Sequence, residues 1–154
     1  MKSPEPAIGQ GYPKTASLQK LSLVIATRNR SRLLKSCLDS ISGQAGIPKG
    51  FRVFVVDNGA HADPAIKSLC YSPGYGILAI HYVHHPKPGI SEARNRGAGL
   101  ATTDYIGFID DDAVLPRTWL EGAFHIQDEV QPDIYGGPFT PIYLQKKPAW
   151  FKDQ

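Results

Sequence analysis

The sequence LSLVIATRNR at residues 21–30 decides the fold of the first part of the chain. Residues 21–26 form a short, almost continuous apolar run, which is typical of a strand that helices cover on both faces. Residues 27–30 interrupt this run with polar side chains. Apolar residues then recur at helical spacing over residues 33–41, so the segment predicts a strand, a polar loop and a helix. Ser31 is predicted to cap that helix.

The same alternation continues along the chain. Further strands are predicted at residues 51–56, 77–83 and 105–109, and further helices from Asp63-Pro64, over 92–100 after Gly89-Ile90-Ser91, and over 118–130. Residues 134–144, rich in glycine, proline and aromatic side chains, predict one or two short strands. Strands that alternate with helices favour an α/β domain with a mainly parallel sheet.

Composition sets bounds on partners and compartment. The chain has 154 residues and a net charge of +3 with scattered lysines and arginines, which does not suggest a nucleic-acid partner. No apolar run approaches the ~18 residues that a membrane span needs, so no transmembrane segment is expected. Residues 1–20 predict a flexible leader without a signal peptide, ahead of one domain at 21–154. Cys37 and Cys70 match no metal spacing, so we expect plain thiols and a cytoplasmic protein.

Polar clusters follow three of the predicted strands. They are Thr27 to Arg30, Asp57-Asn58, and Asp110-Asp111-Asp112. In open parallel sheets, ligands bind outside the carboxyl ends of the strands. The three clusters are therefore expected to share one edge of the sheet, which we call the rim, and to form a binding site there.

The acidic run is the strongest indication of chemistry. Three adjacent carboxylates repel one another, so a site that includes them needs a compensating cation. Carboxylate oxygens suit Mg or Mn, and Mg completes its shell with water and substrate phosphates. Alternation along an extended segment places Asp110 and Asp112 on one side and Asp111 on the other, which favours the first two as ligands. A solvated acidic turn is the alternative.

The other rim residues have two interpretations each. Asp57 can accept a hydrogen bond from a base or a ribose, or it can cap the next turn, and Asn58 suits either task. Arg28 and Arg30 can reach phosphates, or they form an exposed basic turn. Arg94 lies one turn into a helix and can reach a diphosphate, or it pairs with a rim aspartate.

Four strings in this order resemble glycosyltransferase family 2, which has the GT-A fold. They are residues 23–30, 55–59, 89–97 (whose Ala-Arg-Asn matches the family string) and 108–112 followed by Pro116 and Trp119. The sequence departs from the family pattern at Ala26 for proline, Arg28 for tyrosine, Asn58 for aspartate and Ala60 for serine. A nucleotidyltransferase is disfavoured, because residues 27–30 contain no glycine.

The resemblance implies a Rossmann-like GT-A three-layer sandwich around a mainly parallel sheet. It implies inverting transfer of a sugar from a nucleotide diphosphate, with a UDP-sugar as the expected donor, to an unknown saccharide or lipid-linked acceptor. Asp112 and Asp110 would hold Mn or Mg. The implied nucleotide-binding residues are Ala26, Thr27, Arg28, Asn29, Arg30, Asp57, Asn58, Arg94, Asp110 and Asp111.

The family pattern normally extends about another hundred residues, beyond the usual size of a small domain. That second half supplies the acceptor site and the catalytic base, so the chain looks like a truncated GT-A domain whose base lies beyond Gln154. A non-catalytic nucleotide-binding or regulatory fragment of the same fold stays open as the alternative. A sheet with exposed apolar edges can also self-associate into a homo-oligomer.

Overall fold

A computed structural model of the chain describes residues 20–143. These residues form strands β1 (Leu21–Thr27), β2 (Phe51–Asp57), β3 (Leu78–His84) and β4 (Tyr105–Asp110), and helices α1 (Ser31–Ser42), α2 (Pro64–Cys70), α3 (Ile90–Ala98) and α4 (Trp119–Glu129). A short 3-10 turn at Pro73–Tyr75 follows α2. The predicted order of these strands and helices is confirmed. The expected leader lies outside the described residues except for Lys20.

The described strands form one parallel sheet in the order β3-β2-β1-β4. Thr27 is in register with Asp57, Asp57 with His84, and Ala26 with Asp110. The carboxyl ends of the strands therefore meet at one edge. This arrangement brings the three predicted polar clusters to a common rim, as expected for a parallel sheet.

Helices cover both faces of the sheet and give it three layers. One face presents alternate apolar residues such as Leu23, Val53 and Val55 to α1, α2 and α4, and this side holds the main hydrophobic core. On the other face, α3 packs against β1 and β2. A Cβ added at Gly97 would lie 2.4 Å from a methyl carbon of Val24, so the missing side chain lets α3 approach the sheet closely. The α/β, Rossmann-like prediction is confirmed.

The α3 face of the sheet is covered unevenly. On β4 the side chains of Ile106 and Phe108 remain 36% and 48% exposed. Both alternate with residues that point toward the main core, as strand geometry requires. The described part of the chain thus leaves an apolar strip beside α3, on the strand that carries the acidic run.

Two local predictions are wrong. Ser31 does not cap α1: Arg30 occupies the N-cap position, makes no side-chain capping bond, and Ser31 is the first helical residue. Residues 134–143 form no strand. Pro138 and Pro141 lack the backbone N–H that a ladder needs. Leu144 lies outside the described residues.

The predicted cap of α2 is confirmed. Asp63 caps α2 by accepting a hydrogen bond from the Ala65 N–H at 2.8 Å, with Pro64 at the first helical position. Cys37 and Cys70 are buried free thiols. Among the described residues, no helix is long and apolar enough to cross a membrane.

Candidate functional site

Asp111 follows β4, at one end of the rim, and points into the protein. Only 4% of the surface of Asp111 is exposed. The Thr27 hydroxyl donates to one carboxylate oxygen at 2.7 Å, and the Arg30 guanidinium donates to the other at 3.3 Å. A buried carboxylate needs such partners, because an unpaired charge there would be strongly destabilising. Asp111 therefore ties the loop after β1 to the end of β4.

Asp110 and Asp112 face outward instead. Their side chains are 62% and 55% exposed. Arg94 donates to Asp110 at 2.7 Å, and the Arg30 guanidinium lies 3.9 Å from Asp112. The alternation that the sequence predicted is present, with Asp111 opposite its two neighbours. The ion pair that was one of the two interpretations of Arg94 is present too, so Arg94 already compensates one of the exposed charges.

Asp57 is fully buried, and its own surroundings occupy it. Its carboxylate accepts hydrogen bonds from the backbone N–H groups of Gly59 and Asp63, at 3.2 and 2.7 Å, and from the Tyr82 hydroxyl at 2.9 Å. Burial and then this hydrogen bond raise the pKa of Tyr82, so the phenol stays a donor at neutral pH. These contacts are the turn-capping interpretation of Asp57. A carboxylate has about four acceptor sites, which leaves little capacity for a further donor.

Asn58 organises the loop that leads into α3. Its amide nitrogen donates to the carbonyls of His85 and Lys87 at 2.7 and 2.6 Å. Its amide oxygen accepts from the Gly89 N–H at 3.1 Å, and Gly89 adopts a positive φ of 127° that favours glycine. The side-chain amide of Asn58 is thus used internally, and it sets the position from which α3 and Arg94 start.

The loop after β1 presents the remaining predicted residues. Ala26 is half-buried beside Asp110, whereas Arg28, Asn29 and Arg30 are exposed. Asn29 has a φ of 55°, a left-handed conformation that asparagine tolerates better than most residues. The exposed loop and the exposed carboxylates share the same rim, so the basic and acidic side chains are both accessible there.

The donor set at the rim fits only a metal that is shared with a ligand. The described residues contain no group of three or more His, Cys, Asp or Glu side chains placed to hold an ion. Asp110 and Asp112 offer two exposed carboxylates. Mg usually takes one or two protein carboxylates and fills its shell with water and substrate phosphates. The geometry is therefore compatible with a phosphate-bridged ion and not with a closed structural site.

Sequence reasoning missed two contacts at the rim. Tyr82 supports Asp57 from the neighbouring strand, and this contact follows only once the register of β2 and β3 is known. The Cys37 thiol donates to the Asp110 carbonyl at 3.6 Å. Burial raises the pKa of Cys37 to about 12, so it remains a neutral thiol that anchors α1 beneath the acidic run. No feature of the sequence marked either role.

Known proteins share this fold and parts of this sequence. Residues 1–349 of TarS from S. aureus, solved in complex with UDP, superpose with a TM-score of 0.66 at 23% identity, covering 84% of this chain and 40% of that one. The mannosyltransferase PcManGT from Pyrobaculum calidifontis, solved with GDP-Man and Mn²⁺, gives a TM-score of 0.63 at 24% identity, covering 74% and 34%. At these identities the likeness concerns the fold, which is GT-A.

Sequence relatives are more informative about family. The glucosyl-dolichyl phosphate glucuronosyltransferase of Haloferax volcanii is 35% identical over 88% of this chain and 43% of its own length. The pre-mycofactocin glycosyltransferase of Mycobacterium tuberculosis is 32% identical over 71% of this chain, which spans only 21% of that protein. The family model described as Glycosyl transferase family 2 matches residues 22–154. Together with the rim and the parallel sheet, this match shows that the chain belongs to glycosyltransferase family 2.

Proposed function

We propose that the rim binds a nucleotide diphosphate sugar, with a UDP-sugar as the expected donor, together with Mn or Mg. The observation that carries this proposal is the pair of exposed carboxylates, Asp110 and Asp112, beside the guanidinium groups of Arg30 and Arg94. Carboxylates alone would repel a diphosphate. A divalent cation between the two removes that repulsion, and the arginines add charge-assisted hydrogen bonds to phosphate oxygens.

Each side chain then has a defined task. Asp112, with Asp110, would hold the cation, which neutralises the charge that grows on the leaving diphosphate. Arg94 would give up its ion pair with Asp110 and bind the diphosphate instead. Arg28 and Arg30, in the loop after β1, would bind phosphate oxygens as well. Ala26, Thr27, Asn29, Asp57 and Asn58 would shape the nucleotide pocket. For Asp57, Asn58 and Asp111, their internal hydrogen bonds support a role in holding the pocket's loops.

The ligands bound to structural neighbours support this ligand class. One TarS structure contains UDP-GlcNAc, another contains UDP, and the PcManGT structure contains GDP-Man with Mn²⁺. Those ligands belong to those proteins. They agree with the arrangement of charges at the rim here, where a metal–diphosphate unit fits better than a free anion or a free cation.

Sugar transfer is proposed for a polypeptide longer than these 154 residues. The chain spans less than half of the Haloferax and Mycobacterium relatives. Among the described residues of the rim, Asp57 and Asp111 are buried and engaged, so neither is free to act as a base toward an acceptor hydroxyl. We propose that the base and the saccharide or lipid-linked acceptor site lie downstream of Gln154, and that transfer inverts the anomeric configuration.

Calorimetry tests the donor site directly. UDP, GDP and ADP are titrated into the chain with Mn²⁺, and again with EDTA. We expect one site for UDP that requires the metal, with GDP as the competitor to examine. If none of the three nucleotides binds in the presence of Mn²⁺, the proposed site is wrong. Binding without transfer, even when the downstream polypeptide is added, would instead favour a regulatory nucleotide-binding domain.

A further inference from the structure

The outer edge of β3 is open. Within residues 20–143, β3 pairs only with β2. The His85 N–H donates to the Asp57 carbonyl, and the Ile77 carbonyl accepts from the Gly50 N–H, so odd-numbered residues direct their backbone groups toward β2. Because backbone groups alternate along a strand in a parallel ladder, the even-numbered residues Leu78 to His84 direct theirs outward. A row of donors and acceptors therefore faces away from the sheet.

This edge lacks the usual protection against strand pairing. Natural edge strands carry lysine or proline, or are very short. β3 has the seven residues LAIHYVH, with neither lysine nor proline among them. Its side chains are mostly apolar or aromatic, and those of Ile80 and Tyr82 are only half-buried. The strand is thus a suitable template for an added strand.

A basic groove runs along the same edge. It has a volume of about 810 Å³ and is open on one side. Its positively charged or titratable lining residues are Arg52, Arg96 and His81, and no carboxylate of the described residues lines it. Arg52 is held in place by donating to the Thr102 hydroxyl at 2.8 Å, and the His81 ring stacks on Phe54 with centroids 5.0 Å apart. The groove therefore combines an ordered apolar floor with two positive charges.

The two arginines of the groove lie away from the rim, whereas Tyr82, whose hydroxyl bonds Asp57, lines the part of the groove that approaches it. Arg52 precedes Asp57 by five residues on β2, a separation of roughly 16 Å along an extended strand. Arg96 lies in the last turn of α3, away from the end that carries Gly89. A ligand held by Arg52 and Arg96 would consequently leave Asp110 and Asp112 free.

We propose that the β3 edge is a docking site for an extended, acidic segment of a protein partner, which adds a fifth strand beside β3. Main-chain hydrogen bonds to the outward groups of β3 provide affinity, as in other cases of strand addition. Arg52 and Arg96 select acidic side chains on the incoming strand. Pairing between two copies of this chain is disfavoured, because it would bring the same positive charges together.

Labelled heptapeptides test this proposal by fluorescence anisotropy. One peptide alternates Glu and Val, a second alternates Lys and Val, and a third alternates Ser and Val. We expect the acidic peptide to bind more tightly than the neutral one and the basic peptide not to bind. Arg96→Glu and Arg52→Glu should each weaken the acidic peptide by roughly three- to tenfold. Arg117→Glu, an exposed arginine outside the groove, is the matched control and should change nothing.

Amide exchange separates strand addition from simple charge attraction. At a saturating concentration, the acidic peptide should slow hydrogen exchange of the outward amides of Ile80 and Tyr82. The same peptide with N-methyl groups at alternate residues should not bind. Thermal unfolding by circular dichroism checks that both groove variants remain folded. Equal binding of the Glu and Lys peptides would overturn the proposal. So would unchanged affinity in folded Arg96→Glu and Arg52→Glu, or unchanged exchange at Ile80 and Tyr82.

Discussion

Three adjacent aspartates at the end of β4 occupy three different environments. Asp111 is buried against Thr27 and Arg30, Asp110 pairs with Arg94, and Asp112 is exposed with only a distant guanidinium. The three side chains are chemically identical, so their burial and their hydrogen-bond partners decide whether each contributes to stability or to ligand binding. Removing the Asp111 carboxylate should therefore lower the stability of the fold, whereas removing the Asp112 charge should leave stability unchanged and weaken ligand binding.

Asp111→Ala should destabilise the fold, because it leaves the buried Thr27 hydroxyl without its acceptor. The expected loss is about 1–3 kcal/mol of unfolding free energy, measured by urea denaturation. Asp112→Asn is the matched change at an exposed position and should alter stability by less than about 0.5 kcal/mol. In calorimetry, however, Asp112→Asn should abolish metal-dependent UDP binding. Equal stability of the two variants would contradict the assignment of Asp111 as the internal brace.

Arg94 should have effects of opposite sign on metal and on nucleotide. Arg94→Gln frees Asp110 from its 2.7 Å ion pair, so Mn²⁺ alone should bind more tightly than it does to the wild type. The same variant loses a phosphate partner, so the Mn–UDP complex should bind more weakly, by roughly tenfold. Electron paramagnetic resonance of free Mn²⁺ measures the first quantity and calorimetry the second. A variant that weakens both, or neither, would rule out the exchange of partners.

The sequence predicted the helices and strands better than it predicted the contacts of single residues. The continuous apolar run at Leu21–Ala26 and the helical spacing after it lead directly to β1 and α1, because periodicity reflects which faces are buried. Of the one or two short strands predicted over residues 134–144, none is present at 134–143, because Pro138 and Pro141 lack the backbone N–H groups that strand pairing needs. The roles of Asp57 and Asn58 stayed open in the sequence, because they depend on the loop at 85–89 and on Tyr82, which are distant along the chain.

The contact of α3 with the sheet depends on one glycine. Gly97→Val places new methyl groups against Val24 and Val56, whose side chains already lie 2.4 and 3.2 Å from an added Cβ. Overpacking of this kind costs about 1–3 kcal/mol, and the cost should appear as a lower urea midpoint. Gly122→Ala in α4 is the control, since nothing lies within 4 Å of its added Cβ. It should stabilise the protein by about 0.4–1 kcal/mol. A neutral Gly97→Val would show that α3 does not pack tightly on the sheet.

At the scale of the whole molecule, residues 20–143 carry the proposed donor rim and an apolar strip that they leave exposed on the same strand. Ile106 and Phe108 are exposed on β4, next to the residues proposed to hold the metal and diphosphate. Relatives are more than twice as long as the segment they share with this chain. If the longer polypeptide proposed above covers this strip, the 154-residue chain alone should self-associate through it and the longer form should not. Ultracentrifugation of both forms measures this, and equal association of the two would contradict the expectation.

The location of the metal–nucleotide complex tests the central claim most directly. Mn²⁺ broadens nuclear resonance signals steeply with proximity, so it is added with UDP to the ¹⁵N-labelled chain, with Mg²⁺ and UDP as the diamagnetic control. We predict that the amide signals of residues 110–112 and 27–30 disappear first, and at much lower Mn²⁺ concentrations when UDP is present. Broadening centred on any other part of the chain, or broadening at the rim that UDP does not enhance, would contradict a donor site built on Asp110 and Asp112.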